Sequence, residues 1–221
     1  MTPAQVRNEI ERVTSVLFSI GAALDSNPVL CLTSHGQTIV TWSNDMVMSA
    51  LFDQTSTLNE YLLTLRNRWY TTILSDGALL QLSYTFQGNT LVKHRLSFHP
   101  CPIIFEPEEL QELTLQELLE VLEGTEFRDR LRLEGAVRFD YDLAAGTKQH
   151  PPVHLTVSRS SSRIPVFAPL SVGHFIRFVF LHFYPKLWQK SEELRVWSCA
   201  SLDACLPELD DDHLYVQWKR K

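Results

Sequence analysis

Between Gly135 and Pro185 the chain concentrates Asp140, Asp142, His150, His154 and Arg163, the residue types of proton transfer and anion stabilisation. Asp140 and His154 would suit a carboxylate–imidazole acid/base pair, and Arg163 would hold a phosphate or carboxylate. A metal-independent ribonuclease or phosphodiesterase needs roughly that set. The competing use of the same residues is structural, a buried Asp–Arg or Asp–His pair that holds strand register. Arg163 before Ile164-Pro165-Val166 would then only anchor an edge strand.

Strand alternation enlarges the group. Arg138, Asp140 and Asp142 fall on the side opposite Val137, Phe139 and Tyr141. His154 and Thr156 oppose Val153, Leu155 and Val157. Lys93, Arg95, Ser97 and His99 oppose Leu96 and Phe98. If these strands share a sheet in register, one polar face collects Arg95, His99, Arg138, Asp140, Asp142 and His154. Arg95, Arg138, Lys148 and Arg159 are the bases expected to meet a nucleic-acid backbone.

His150 and His154 have the spacing of a helical zinc pair, but Pro151-Pro152 excludes a helix there. An extended chain puts the two Cα atoms about 13 Å apart, so shared ligation would need a sharp bend. No third ligand follows at metal-like spacing. A divalent ion on Asp140 and Asp142, whose carboxylates share a face, fits better than zinc, but two Asp flanking a Tyr is a common pattern. Neither a metal nor another cofactor is expected. There is no phosphate-binding glycine loop, nucleophile elbow or close-spaced cysteine quartet.

The positioning elements can be read in order. Thr2-Pro3 opens a helix of about 22 residues, with Val6, Ile10, Val13, Leu17, Ile20 and Leu24 on one stripe and Asn27-Pro28 as its end. Val29–Trp42 reads as irregular, with a short strand at Thr38–Trp42. Thr57 to Glu60 has the capping-box form and starts a second helix, with Leu58, Tyr61, Leu62 and Leu65 inward. Trp69–Leu74, Ala78–Phe86 and Leu91–Phe98 form a meander, turning at Ser75-Asp76-Gly77 and Gly88-Asn89. Pro107–Glu123 is an acidic helix with Leu110, Leu113, Leu118, Leu119 and Leu122 inside. Ala136–Asp142, Val153–Val157 and Ile164–Phe167 are strands, followed by a helix over Val172–Tyr184. Leu194–Ser198 and Leu214–Trp218 read as late strands. The expected fold is a single α+β domain over 1–221, with a largely antiparallel sheet and helices mainly on one face. Its parts are a helical 1–68, a meander at 69–105, the acidic helix region 106–134, and strands plus a buried helix at 135–221.

The totals fit that picture. The chain has 221 residues, 44% hydrophobic and 21% charged, with a formal charge of −6, so it is no bulk polycation. Charge is unevenly spread: 106–134 holds 10 acids against 3 bases, whereas 146–195 holds 7 bases against 2 acids. Nucleic acid would meet the basic 146–195 region. Four cysteines without close pairs, no secretory leader and no apolar run near the ~20 residues of a membrane span predict a soluble, cytoplasmic protein with reduced thiols, away from membranes.

Several segments together resemble a bacterial family of unknown function, domain of unknown function 2290. They are Asp76-Gly77-Ala78-Leu79-Leu80-Gln81, His94-Arg95-Leu96-Ser97-Phe98-His99-Pro100 and Arg138-Phe139-Asp140-Tyr141-Asp142. His150-Pro-Pro-Val-His154-Leu155-Thr156, Arg163-Ile164-Pro165-Val166 and Ala168-Pro169-Leu170-Ser171 continue the likeness, which runs from the first helix to about Pro185. The resemblance implies a soluble bacterial protein and no particular reaction. A looser similarity, to TumE-type toxins, rests on an Arg–Asp strand before a histidine-containing segment. It departs where Asp140 continues into Tyr141-Asp142. Its implication is a defence or toxin–antitoxin setting.

Two functions follow. The first, which the sequence favours for want of a committing catalytic motif, is an interaction or accessory subunit with a protein partner. Trp188, Trp197 and Trp218 would be its interface anchors. The alternative is a small metal-independent nucleic-acid-cleaving enzyme using Asp140, His154 and Arg163.

Overall fold

A computed structural model of the chain describes residues 1–43, 57–105, 109, 113–124, 128–132, 134–147, 150–158, 161–197, 199–200, 202–205 and 214–218. Helix α1 spans Pro3–Ser19, with Thr2 and Gln5 closing a capping box. It stops short of the 22 residues that the apolar stripe suggested. Gly21 takes a φ of 67°, and the Gly21 and Ala22 N–H groups donate back to Phe18 and Leu17 carbonyls. That is a Schellman stop, and the next residues leave as strand β1, Ala23–Ser26.

The segment expected to be irregular is a hairpin, β2 (Leu30–Ser34) and β3 (Gln37–Thr41). Its turn is His35-Gly36, both at positive φ as a two-residue hairpin loop requires. Helix α2, Leu58–Arg66, has the capping box of Thr57 and Glu60. Strands β4 (Thr72–Leu74), β5 (Leu79–Gln87) and β6 (Thr90–His99) form the meander. The acidic helix is interrupted: Thr114 caps a helix α3 at Leu115–Glu123 with its own capping box to Glu117, so it does not run unbroken from Pro107. Its Leu118 and Leu122 are buried. Leu110 and the side chain of Leu119 lie outside the described residues.

Strands β7 (Val137–Asp142), β8 (Val153–Val157) and β9 (Ile164–Pro165) complete one antiparallel sheet in the order β1-β4-β5-β6-β7-β8-β9. Strand β3 pairs with the far end of β5 and carries β2. Helix α4 is Val172–Phe183, followed by α5 (Pro185–Lys190) and α6 (Glu192–Arg195). The first late strand is therefore a mistake: Ser191 caps α6 and accepts from Leu194 N–H. The second reduces to one parallel bridge, Val216 to Val166.

Alternation decides which helix covers which face. Leu80, Leu82, Tyr84 and Phe86 of β5, Phe139 of β7 and Val153 of β8 pack with Val6, Ile10, Val13 and Leu17 of α1 and Phe175, Ile176, Val179 and Phe180 of α4. On the opposite face, Leu79 and Ile73 meet Tyr61, Leu62 and Leu65 of α2 and Leu118 and Leu122 of α3. The class is α+β, with the main helical layer on one side and a smaller patch closing one end of the other. Trp188 and Trp197 join the main core, so they are not free interface anchors. Arg177 and Arg12 lie over their rings.

Candidate functional site

The polar residues singled out by alternation share one sheet and one face. Across neighbouring strands, Ser83, Arg95, Asp140, His154 and Pro165 lie in a single register row. The adjacent row is Gln81, Ser97, Arg138 and Thr156. Antiparallel pairing places directly opposed side chains about 5 Å apart, so register brings residues of five strands into one cluster.

Asp140 is its centre. Arg95 Nε donates to Oδ1 at 3.0 Å and Arg138 Nε to Oδ2 at 2.5 Å. Burial would raise the Asp140 carboxyl, but the charges of Arg138 and then Arg95 overcome it and hold the group below its usual range. It is therefore an ionised carboxylate with both oxygens engaged.

His154 stands 3.6 Å from the same carboxylate, Nε2 to Oδ2. Its Nδ1 is 3.0 Å from the Pro151 carbonyl, which can only accept, so Nδ1 carries the proton and Nε2 is bare in the neutral ring. Burial lowers its pKa and Asp140 opposes that shift, while the charges of His150 and Arg163 add to it. At neutral pH, Nε2 is a base beside a carboxylate.

The turn before β8 bends more than an extended chain would. Thr147 and His150 exchange backbone hydrogen bonds, and the His150 ring stands edge-on to His154 with centroids 4.9 Å apart. The contact is ring against ring. Among the described residues, no group of three or more His, Cys, Asp or Glu is arranged to hold a metal ion.

The rest of the face has separate duties. Asp142 pairs with Lys93 at 3.1 Å near the surface. Gln81 accepts from Ser97 and His99 and donates to the Trp69 carbonyl. Burial, aided by Arg138, pushes His99 down to about 4. Arg163 is exposed beside the edge strand, near enough for its charge to act on His154 but outside the contacts of Asp140. Lys148 and Arg159 lie outside the described residues. The centre is not an open pocket: Asp140 is 9% exposed, Arg138 8% and His154 5%.

Two residues escaped sequence reasoning. Thr156 was placed on the face but given no role; its hydroxyl is buried with no hydrogen-bond partner among the described residues. His94 falls by alternation on the apolar face, between Tyr84 and Tyr141, and its Nε2 accepts from Leu170 N–H. Alternation marked it as core, and its polarity was the signal that it needed a specific partner.

No curated protein and no solved structure matches the chain. A family model described as an uncharacterised conserved protein, DUF2290, matches residues 23–218. The match begins after α1 and reaches Trp218, so the likeness lies further toward the C-terminus than the short sequence segments indicated. Covering the whole sheet and the cluster centred on Asp140, it makes this chain a member of the DUF2290 family.

Proposed function

We propose that the protein is a small nucleic-acid-cleaving enzyme that works on phosphodiesters from the polar face of β6, β7 and β8, using protein groups alone. The orientation of His154 carries this reading: Nδ1 is tied to the Pro151 carbonyl and Nε2 is left bare beside Asp140. In the neutral ring Nε2 presents an acceptor, so the group that satisfies it is a donor, such as a substrate hydroxyl. When that proton moves to Nε2, the resulting imidazolium lies between Asp140 and the Pro151 carbonyl, and both favour it. Guanidinium groups at Arg95, Arg138 and Arg163 suit the negative charge of a phosphoryl group.

Burial divides the roles. Asp140, gripped by two guanidinium groups, orients and charges the site without touching substrate. Arg163 is exposed, and Arg95 and His150 are half-buried, so these three form the rim that a polyanion meets first. The test is incubation of wild type and His154→Gln with labelled RNA and DNA oligonucleotides. Cleavage lost in the variant, with an unchanged melting transition, is the expected outcome. Cleavage surviving in the variant, or no cleavage of either polymer by wild type, overturns the reading.

A second reading is an accessory subunit that docks a protein partner in a defence or toxin–antitoxin system. One observation favours it: Leu181 and Phe183 on α4 are 42% and 40% exposed, more than such side chains need be. Stoichiometric co-purification from the native cell that Leu181→Lys abolishes would support it, and a monodisperse monomer would not.

A further inference from the structure

We propose that Thr156 and Arg163 form the phosphate-holding end of this face, with the Thr156 hydroxyl donating to a phosphate oxygen and the Arg163 guanidinium meeting its charge. The proposal rests on the enzymatic reading for the identity of the substrate, but not for the existence of the subsite.

Thr156 is 5% exposed, and its Oγ1 has no hydrogen-bond partner among the described residues. A buried hydroxyl left unpaired costs about 1–3 kcal/mol, so a side chain in that state is poorly explained by packing alone. Valine would fill nearly the same volume without the polar atom. The surroundings indicate what the hydroxyl is for. Arg138 lies directly opposite it on β7, and His154 lies two residues away on the same face of β8. On the outer side of β8, the pairing with β9 covers His154 and Leu155. Carried one residue further, that register sets Arg163 beside Thr156. The influence of the Arg163 charge on His154 agrees with this placement.

A hydroxyl between two arginine positions is complementary to an anion and ill suited to a cation. The outer end of this row is reached from solvent at Arg163, which is exposed. A phosphate seated there would lie one row away from His154. The ligand chemistry is thus a phosphate group, whether free or in a nucleic-acid backbone.

Two probes separate those sources: inorganic phosphate, and a five-nucleotide RNA made 2′-O-methyl so that a neighbouring hydroxyl cannot cleave it. Binding is followed by 31P NMR and by fluorescence anisotropy, for wild type, Thr156→Val, Thr156→Ser and Arg163→Gln. Binding of the RNA alone identifies a backbone phosphate; binding of both probes identifies a general phosphate seat. Thr156→Val should weaken binding about tenfold, the loss of one charge-assisted hydrogen bond, while its melting temperature without ligand stays level or rises. Thr156→Ser, which keeps the hydroxyl, should retain most of the affinity even if the valine variant folds poorly. Arg163→Gln should weaken binding and flatten its salt dependence. Unchanged affinity in Thr156→Val, or no binding of either probe by wild type, overturns the proposal. Thr156-dependent binding without any oligonucleotide cleavage would keep the subsite and remove the enzymatic reading.

Discussion

Asp140 and His154 face each other directly across β7 and β8, and their polar atoms come within 3.6 Å. The residues just before β8 also deliver the Pro151 carbonyl to the other side of the imidazole. One ring is thus fixed from both ends, by the register of a sheet and by the loop that joins its strands. Register and ring orientation have a common cause.

Asp140→Asn removes the charge that Arg95 and Arg138 share while leaving both guanidinium groups in place. Loss of one partner from a buried ion cluster typically costs about 3–5 kcal/mol. Urea denaturation should show a loss in that range, well above the loss from Asp142→Asn, whose partner Lys93 is about half exposed. Equal, small losses would mean that the cluster does not hold the sheet.

His154 titrates below its ordinary value of 6.5 because it is buried, and Asp140 is what limits the fall. Cleavage that needs bare Nε2 should therefore rise with pH, with a midpoint below 6.5, and level off near neutrality. In Asp140→Asn the raising charge is gone and the midpoint should move lower still. An NMR titration of the His154 ring reads the same shift without any activity, and an upward shift would contradict the assignment.

Acid should weaken the fold through His94, which burial pushes down to about 4. Below pH 6.5 the unfolded chain takes up a proton that the folded protein refuses, so this stability is complete above 6.5 and is lost as pH falls toward 4. The full effect is roughly 3 kcal/mol. His94→Gln should flatten the fall in melting temperature over that window and leave the share due to His99. A variant with an unchanged slope would place the acid sensitivity elsewhere.

Gly135 and Gly21 are glycines for different reasons. A Cβ on Gly135 would lie 1.8 Å from Ser158 Oγ and 2.8 Å from the Ser158 Cα, so Gly135→Ala must shift the end of β8 near Thr156. A Cβ on Gly21 meets nothing within 4 Å, and only its positive φ opposes alanine. Gly21→Ala should cost about 1–2 kcal/mol and leave the polar face intact. Gly135→Ala should cost more and impair whatever the site does. Equal costs would show that the close approach is relieved without moving the strand.

Local chemistry made much of this protein legible. Thr2-Pro3 and the box at Thr57 start helices because a capping hydroxyl, a proline that needs no N–H partner and, at Glu60, a carboxylate settle the free N–H groups of the first turn. Alternation through Arg95, Arg138, Asp140 and His154 assigned them to one kind of face before any strand had a neighbour. The same local reading failed where a competing signal was equally short. Leu24 continued the α1 stripe, yet Gly21 ended the helix; Thr114 offered a second cap inside a run of leucines; Ser191 turned an expected strand into a helical turn.

The sequence by itself therefore determined which side chains share a strand face and where most elements begin, since both depend on residues only a few positions apart. Which strand lies beside which, and in what register, was decided by the tertiary structure. Those choices come from burying Phe139, Leu96 and Leu155 together against α4, a long-range condition that no local period contains. Only that packing sets Arg95, Asp140 and His154 in one row and leaves the Thr156 hydroxyl beside them.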